Sequence, residues 1–181
     1  MKNEGTAMFE DDIFVEEMVV RRKTTLNLLM SVGIVALALA LALAIWLFIP
    51  FIGSALTVIV LFAAYLGIKF QYVEYEYSFT NGDLDIDKIM AKRKRKRLVE
   101  VGHQKIKVMA PYTAEYEAET QGYSVSEVVD ASASKNAAGR WFFIYEKQDG
   151  TYAFVVLQPS KRMREAMQKY LRTRIKGMEQ E

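Results

Sequence analysis

The sequence predicts a two-helix transmembrane hairpin joined to a mainly β small barrel or sandwich that is capped by a C-terminal α-helix. Three observations carry that expectation. No charged residue lies between Lys23 and Lys69. After Phe70 the hydrophobic period shortens to two. An amphipathic stretch with helical spacing then closes the chain from Ser160 onward.

The uncharged stretch is about twice the ~20 residues that one helix needs to cross a ~30 Å hydrocarbon core. It breaks once, at Ile49-Pro50-Phe51-Ile52-Gly53, where proline and glycine signal a turn. Residues 25–70 therefore read as a hairpin with spans near 26–48 and 52–70. Arg21, Arg22 and Lys23 precede the first span and Lys69 ends the second, while the connector has no Lys or Arg. The positive-inside bias then places the protein in the cell membrane as a multi-pass chain, with both termini cytoplasmic. Trp46, Phe48 and Phe51 at one end, and Phe70 and Tyr72 at the other, are the expected interfacial aromatics. Ala36, Ala40 and Ala44 share a helix face, and Ala63 and Gly67 offer a similar pair on the second span. These stripes predict close packing within the hairpin or self-association between hairpins. The spans hold no charge for an ion or proton pathway.

Residues 1–24 form an acidic N-terminal cytosolic segment. Phe9, Ile13, Phe14, Met18 and Val19 are spaced as on a short amphipathic helix. Its acidic residues, Glu10 to Glu17, suggest docking on the basic surface of the C-terminal helix, which holds Lys161, Arg162, Arg164, Lys169, Arg172, Arg174 and Lys176.

Residues 71–181 read as the cytosolic domain. Val73, Tyr75, Tyr77 and Phe79 alternate with polar residues, the pattern of a half-buried strand. Asn81-Gly82 is a strong type I′ hairpin signal, and Leu84 and Ile86 carry the returning strand. Further strands are expected at 95–101, 106–110 and 124–131. A second hairpin, Trp141–Glu146 with Tyr152–Leu157, turns at Gln148-Asp149-Gly150. Ser160 is a candidate N-cap for a helix over 160–176. The expected architecture is consecutive antiparallel strands with this helix plugging one end.

The run Tyr77-Ser78-Phe79-Thr80-Asn81-Gly82-Asp83-Leu84-Asp85-Ile86, a basic linker, and Val101, Ile106 and Val108 after it resemble the opening strands of bacterial pleckstrin-homology-like domains. Ala153-Phe154-Val155-Val156-Leu157-Gln158-Pro159-Ser160, leading into a helix, resembles the closing strand and capping helix of that fold. The whole chain is similar to bacterial two-span membrane proteins that carry such a domain. The resemblance covers about residues 72–176 and implies a fold and a binding or scaffolding habit, with no catalytic residues.

The sharpest chemical feature is Lys92-Arg93-Lys94-Arg95-Lys96-Arg97, six basic residues in a row inside a chain of net charge only +2. It reads as a solvated hairpin with protective charge, or as a contact with the anionic inner leaflet, where each basic residue is worth ~1 kcal/mol. Nucleic acid is not the expected partner, because no stacking aromatics interleave the cations. Asp83, Asp85 and Asp87 fail as a calcium loop, since Lys88 stands where glycine belongs and Lys94 where the closing glutamate belongs. They are expected on one strand face, pairing across to the basic run. With no cysteine and His103 alone, no metal site and no cofactor is expected. No phosphate loop or nucleophile elbow is present. The function expected is therefore non-enzymatic: a membrane-anchored binding or scaffold protein that contacts anionic lipid headgroups, a protein partner, or both. The alternative is a structural subunit of a membrane complex assembled through the hairpin.

Overall fold

The computed structural model describes residues 12–49 and 51–178. Two four-stranded sheets face one another across a single main core. The first is built from β1 (Phe14–Val20), β2 (Val73–Thr80), β3 (Asp83–Met90) and β4 (Lys94–Gly102), in that order across the sheet. The second contains β5 (Ile106–Pro111), β6 (Val125–Asp130), β7 (Trp141–Glu146) and β8 (Tyr152–Leu157), in the order β5-β7-β8-β6.

Period-two alternation sends Tyr77, Phe79, Leu84, Ile86, Val99 and Val101 inward from the first sheet. Phe143, Val155 and Leu157 meet them from the second. Asn81 and Gly82 both have positive φ, as a type I′ turn requires. A Cβ on Gly82 would collide with the His103 ring, so the tightness of that turn depends on glycine. The helix α3 (Lys161–Leu171) lays Met163, Ala166, Met167 and Leu171 on the core. Its N-cap is Ser160, whose Oγ accepts from the Met163 N–H at 3.2 Å.

Three expectations are corrected. Within the N-terminal segment, residues 14–20 are not an amphipathic helix separate from the domain. They form β1, paired antiparallel with β2, because Val15 and Val19 complete the inner face of the first sheet. Phe9, Glu10 and Pro50 lie outside the described residues. The second sheet is not wholly antiparallel, since β6 pairs parallel with β8. The C-terminal helix ends at Leu171 rather than 176. Arg172 turns left-handed (φ 48°) and Ile175 then bridges Met109. Arg174 holds that ending by donating to the carbonyls of His103 (2.7 Å) and Ile106 (2.8 Å).

Two apolar helices interrupt the β1–β2 pair: α1 (Thr25–Phe48) and α2 (Gly53–Lys69). They pack antiparallel, with Gly53 beside Ile45 at one end and Gly67 beside Ile34 at the other. Among the described residues, only α1 is long and apolar enough to cross a membrane. The second helix has 17 residues, shorter than the span expected over 52–70.

Candidate functional site

The basic run folds as the tip and first half of the β3–β4 hairpin. Ala91 and Lys92, both in the left-handed region (φ 52° and 57°), make the turn, and Arg93 closes it by donating to the Met90 carbonyl at 3.1 Å. The tip is fastened to the exit of α2. Only residues 70–72 separate Lys69 from β2, and the Ala91 N–H donates to the Tyr72 carbonyl at 2.9 Å. The Lys92 ammonium lies over the Tyr72 ring, 5.4 Å from its centre. On the other side, residues 21–24 link β1 to α1. The Arg21 N–H donates to Val73 at 3.0 Å, and the Arg22 N–H to Ala133 at 2.7 Å. The basic turn, Arg21–Lys23 and Lys69 thus gather at the end of the first sheet from which both apolar helices leave.

The six cations do not share one environment. Arg95 and Arg97 project from the outer face of the first sheet. Arg95 reaches Glu76 at 2.7 Å and Asp87 at 3.6 Å. Arg97 reaches Asp87 at 2.6 Å, Glu100 at 3.0 Å and Asp85 at 3.1 Å. Glu76 and Asp87 are buried beneath the two guanidinium groups, although they lie on the outer face. Burial raises the Asp85 carboxyl above its usual range against the opposing pull of Arg97. Hydrogen bonding to Asp87 raises the Arg97 guanidinium.

A bulge creates this arrangement. Val99 pairs with Ile86 on the core face, but Arg97 pairs with Asp87, so Leu98 is an extra residue that reverses the phase of β4. Without it, Arg97 and Arg95 would share the inner face of the sheet with Val99 and Val101. Lys94 and Lys96 consequently share the opposite face, where Lys96 sits across from Lys88 and Lys88 across from Tyr75. Among the described residues, Lys94 and Lys96 have no ion-pair partner. The sequence reading grouped all six residues by charge. The missed signal is the strict alternation of Lys and Arg, which follows the strand period.

Ala36 and Ala40 are exposed, on the side of α1 away from α2, while Ala38 is the buried alanine and Ile34 and Ile45 make the contact. Gly67 faces the partner helix, whereas Ala63 is exposed and Ala44 is half-buried. The intra-hairpin packing expected of the Ala36–Ala40–Ala44 stripe is instead made by the opposite face of α1, which carries Ala38. On the C-terminal basic surface, Arg164 is buried over the Trp141 ring and Lys176 pairs with Glu119 at 2.5 Å. Glu17 of β1 does reach α3, but at the Ser160 N–H (3.0 Å), where a carboxylate suits the helix N-terminus, rather than at a basic side chain. Among the described residues no group of three or more His, Asp or Glu is arranged to hold a metal ion. His103 packs on Tyr170, with ring centres 5.2 Å apart.

No curated protein and no solved structure matches the chain. One family model does, over residues 11–177, taking in β1, both apolar helices and the two sheets. The chain therefore belongs to the family described as bacterial PH-like domain (DUF6106).

Proposed function

We propose that this protein is a membrane-anchored, non-enzymatic binding or scaffold protein whose PH-like domain rests on the anionic inner leaflet. In this reading α1 and α2 enter the bilayer as a hairpin from the cytoplasmic side, with both termini remaining there. The 17 residues of α2 rise about 26 Å, and the apolar Phe51, Ile52 and Phe70 at its ends extend that reach toward the ~30 Å core.

The observation that supports the reading is where the basic turn sits. Three extended residues span at most ~10 Å, and the turn is bonded to the last of the three that follow Lys69. Its cations would then stand about one Debye length from the headgroups. At ~1 kcal/mol per basic residue near an anionic leaflet, Lys92, Arg93, Lys94 and Lys96 together with Arg21–Lys23 would set the domain's orientation without a specific headgroup.

Hydrogen exchange of the full chain in nanodiscs tests this. Anionic lipid is expected to slow exchange across residues 90–98 relative to neutral lipid, and added salt to reverse the effect. Equal exchange in both lipids would contradict the reading. Because β1 completes the first sheet, the experiment needs the whole chain rather than residues 71–181.

One observation favours the alternative, a structural subunit assembled through the hairpin. Ala36 and Ala40 face away from α2, and the space beside Gly33 is open. That surface suits close approach of another helix. Ala36→Leu with Ala40→Leu is expected to abolish cross-linking between hairpins if this second reading holds, and to leave it unchanged otherwise.

A further inference from the structure

The basic run contains two side-chain environments, and they call for different roles. The guanidinium groups of Arg95 and Arg97 each span two or more carboxylates. A rigid, planar fork suits that bridging better than the compact point charge of a lysine ammonium. The side chains of Glu76 and Asp87 are only 7% and 6% exposed. A buried carboxylate that loses its cation bears its full desolvation cost. Among the described residues of the four strands, the other groups on this face bring no further cation. From β1 come Phe14, Glu16, Met18 and Val20, and from β2 come Ser78 and Glu74, the latter accepting from the Tyr72 hydroxyl at 2.7 Å. Asp83, Asp85 and Ile89 come from β3, and Glu100 from β4.

We propose that Lys92–Arg97 is two interleaved sets. Arg95 and Arg97 are positioning residues that clasp β4 to β2 and β3 over Glu76 and Asp87. Lys92, Arg93, Lys94 and Lys96 are the set that meets the anionic surface. The second half rests on the membrane reading above; the clasp does not. The bulge at Leu98 links the two sets. With Arg95 and Arg97 pinned to the acidic outer face, alternation holds Lys94 and Lys96 on the opposite face, and the clasp thereby orients the lysines.

Four variants of the full chain in nanodiscs test the assignment. Arg95→Gln with Arg97→Gln should lower the melting temperature of the domain by several degrees at pH 7.5. That deficit should shrink toward pH 5. Buried charges left without a cation carry their desolvation penalty while ionised, so the deficit is full at high pH and lifts as the carboxylates are neutralised. Arg95→Lys with Arg97→Lys should recover only part of the loss. Adding Glu76→Gln and Asp87→Asn to the glutamine pair should restore melting and keep the parent's protection by anionic lipid. Lys92, Arg93, Lys94 and Lys96 all replaced by Gln should melt as the parent does and lose that protection.

A glutamine pair that melts like the parent at every pH would overturn the clasp. Restored melting without lipid protection in the carboxylate-compensated variant would overturn the division, by making the arginines themselves the contact. A parent that shows no lipid protection would overturn the membrane reading and the role given to the lysine set, with the clasp then decided by the melting and pH arms alone.

Discussion

The outer faces of the two sheets are built from opposite materials. On the second sheet, Val108, Ala110, Phe142, Ile144 and Val156 form an apolar layer of their own. Phe142 stacks on Phe154 with ring centres 5.2 Å apart, and Tyr112 meets both edge-on. The same face of the first sheet holds Glu76 and Asp87, buried under Arg95 and Arg97. Apolar side chains stabilise a covered face through area removed from water and need no particular partner. Buried carboxylates stabilise nothing unless their cations stay in place. The outer face of the second sheet should therefore tolerate changes of charge and fail on loss of volume, whereas the outer face of the first should fail when the cations over Glu76 and Asp87 are lost.

Three substitutions probe that contrast. Phe142→Ala should have the largest effect, about 3–5 kcal/mol, since it removes a buried ring and leaves a cavity. Urea unfolding in detergent micelles measures it. A loss under about 1 kcal/mol would mean the outer layer of the second sheet is not a true core. Tyr77→Phe comes next. The Tyr77 hydroxyl joins the sheets, donating to the Ala131 carbonyl at 2.6 Å and accepting from the Gln158 N–H at 3.3 Å. Its loss should cost about 1–2 kcal/mol. Burial pushes this hydroxyl well above the usual tyrosine range. Its contribution is thus complete below the unfolded tyrosine pKa and is lost only as pH rises beyond it, so Phe and Tyr variants should converge in strong alkali. The smallest effect belongs to Asp85→Asn. Burial raises the Asp85 carboxyl, so its charge disfavours the fold at neutral pH. The variant should melt slightly higher at pH 7 and match the parent near pH 3, where Asp85 is already protonated.

Local chemistry made much of this fold legible. Asn81-Gly82 announced its turn, and both ends of Trp141–Glu146 and Tyr152–Leu157 matched the observed strands, because alternation and turn residues act within a few positions. The elements that differed depend on distant partners. Residues 14–20 carry apolar spacing compatible with a helix, and only the free edge of β2, more than fifty residues later in the chain, makes them a strand. The parallel placement of β6 beside β8 has no local signature. On α1, Ala36, Ala38, Ala40, Ala42 and Ala44 place small residues on two faces at once, and α2 selects the one containing Ala38. Within the basic run, charge was obvious, but the one-residue bulge at Leu98 decides which cations meet acids and which do not.

The proposed contact of the β3–β4 turn with an anionic bilayer can be tested by a single spin label, because the chain has no cysteine. Arg93→Cys places the label on the turn. Thr80→Cys places it at the far end of the same sheet, about 25 Å away along β2 at ~3.4 Å per residue. In nanodiscs containing a lipid-bound paramagnetic relaxant, strong relaxation is expected at position 93 and little at position 80. The difference should widen with anionic lipid and narrow with salt. Equal relaxation at both positions, or a response indifferent to lipid charge, would contradict that contact.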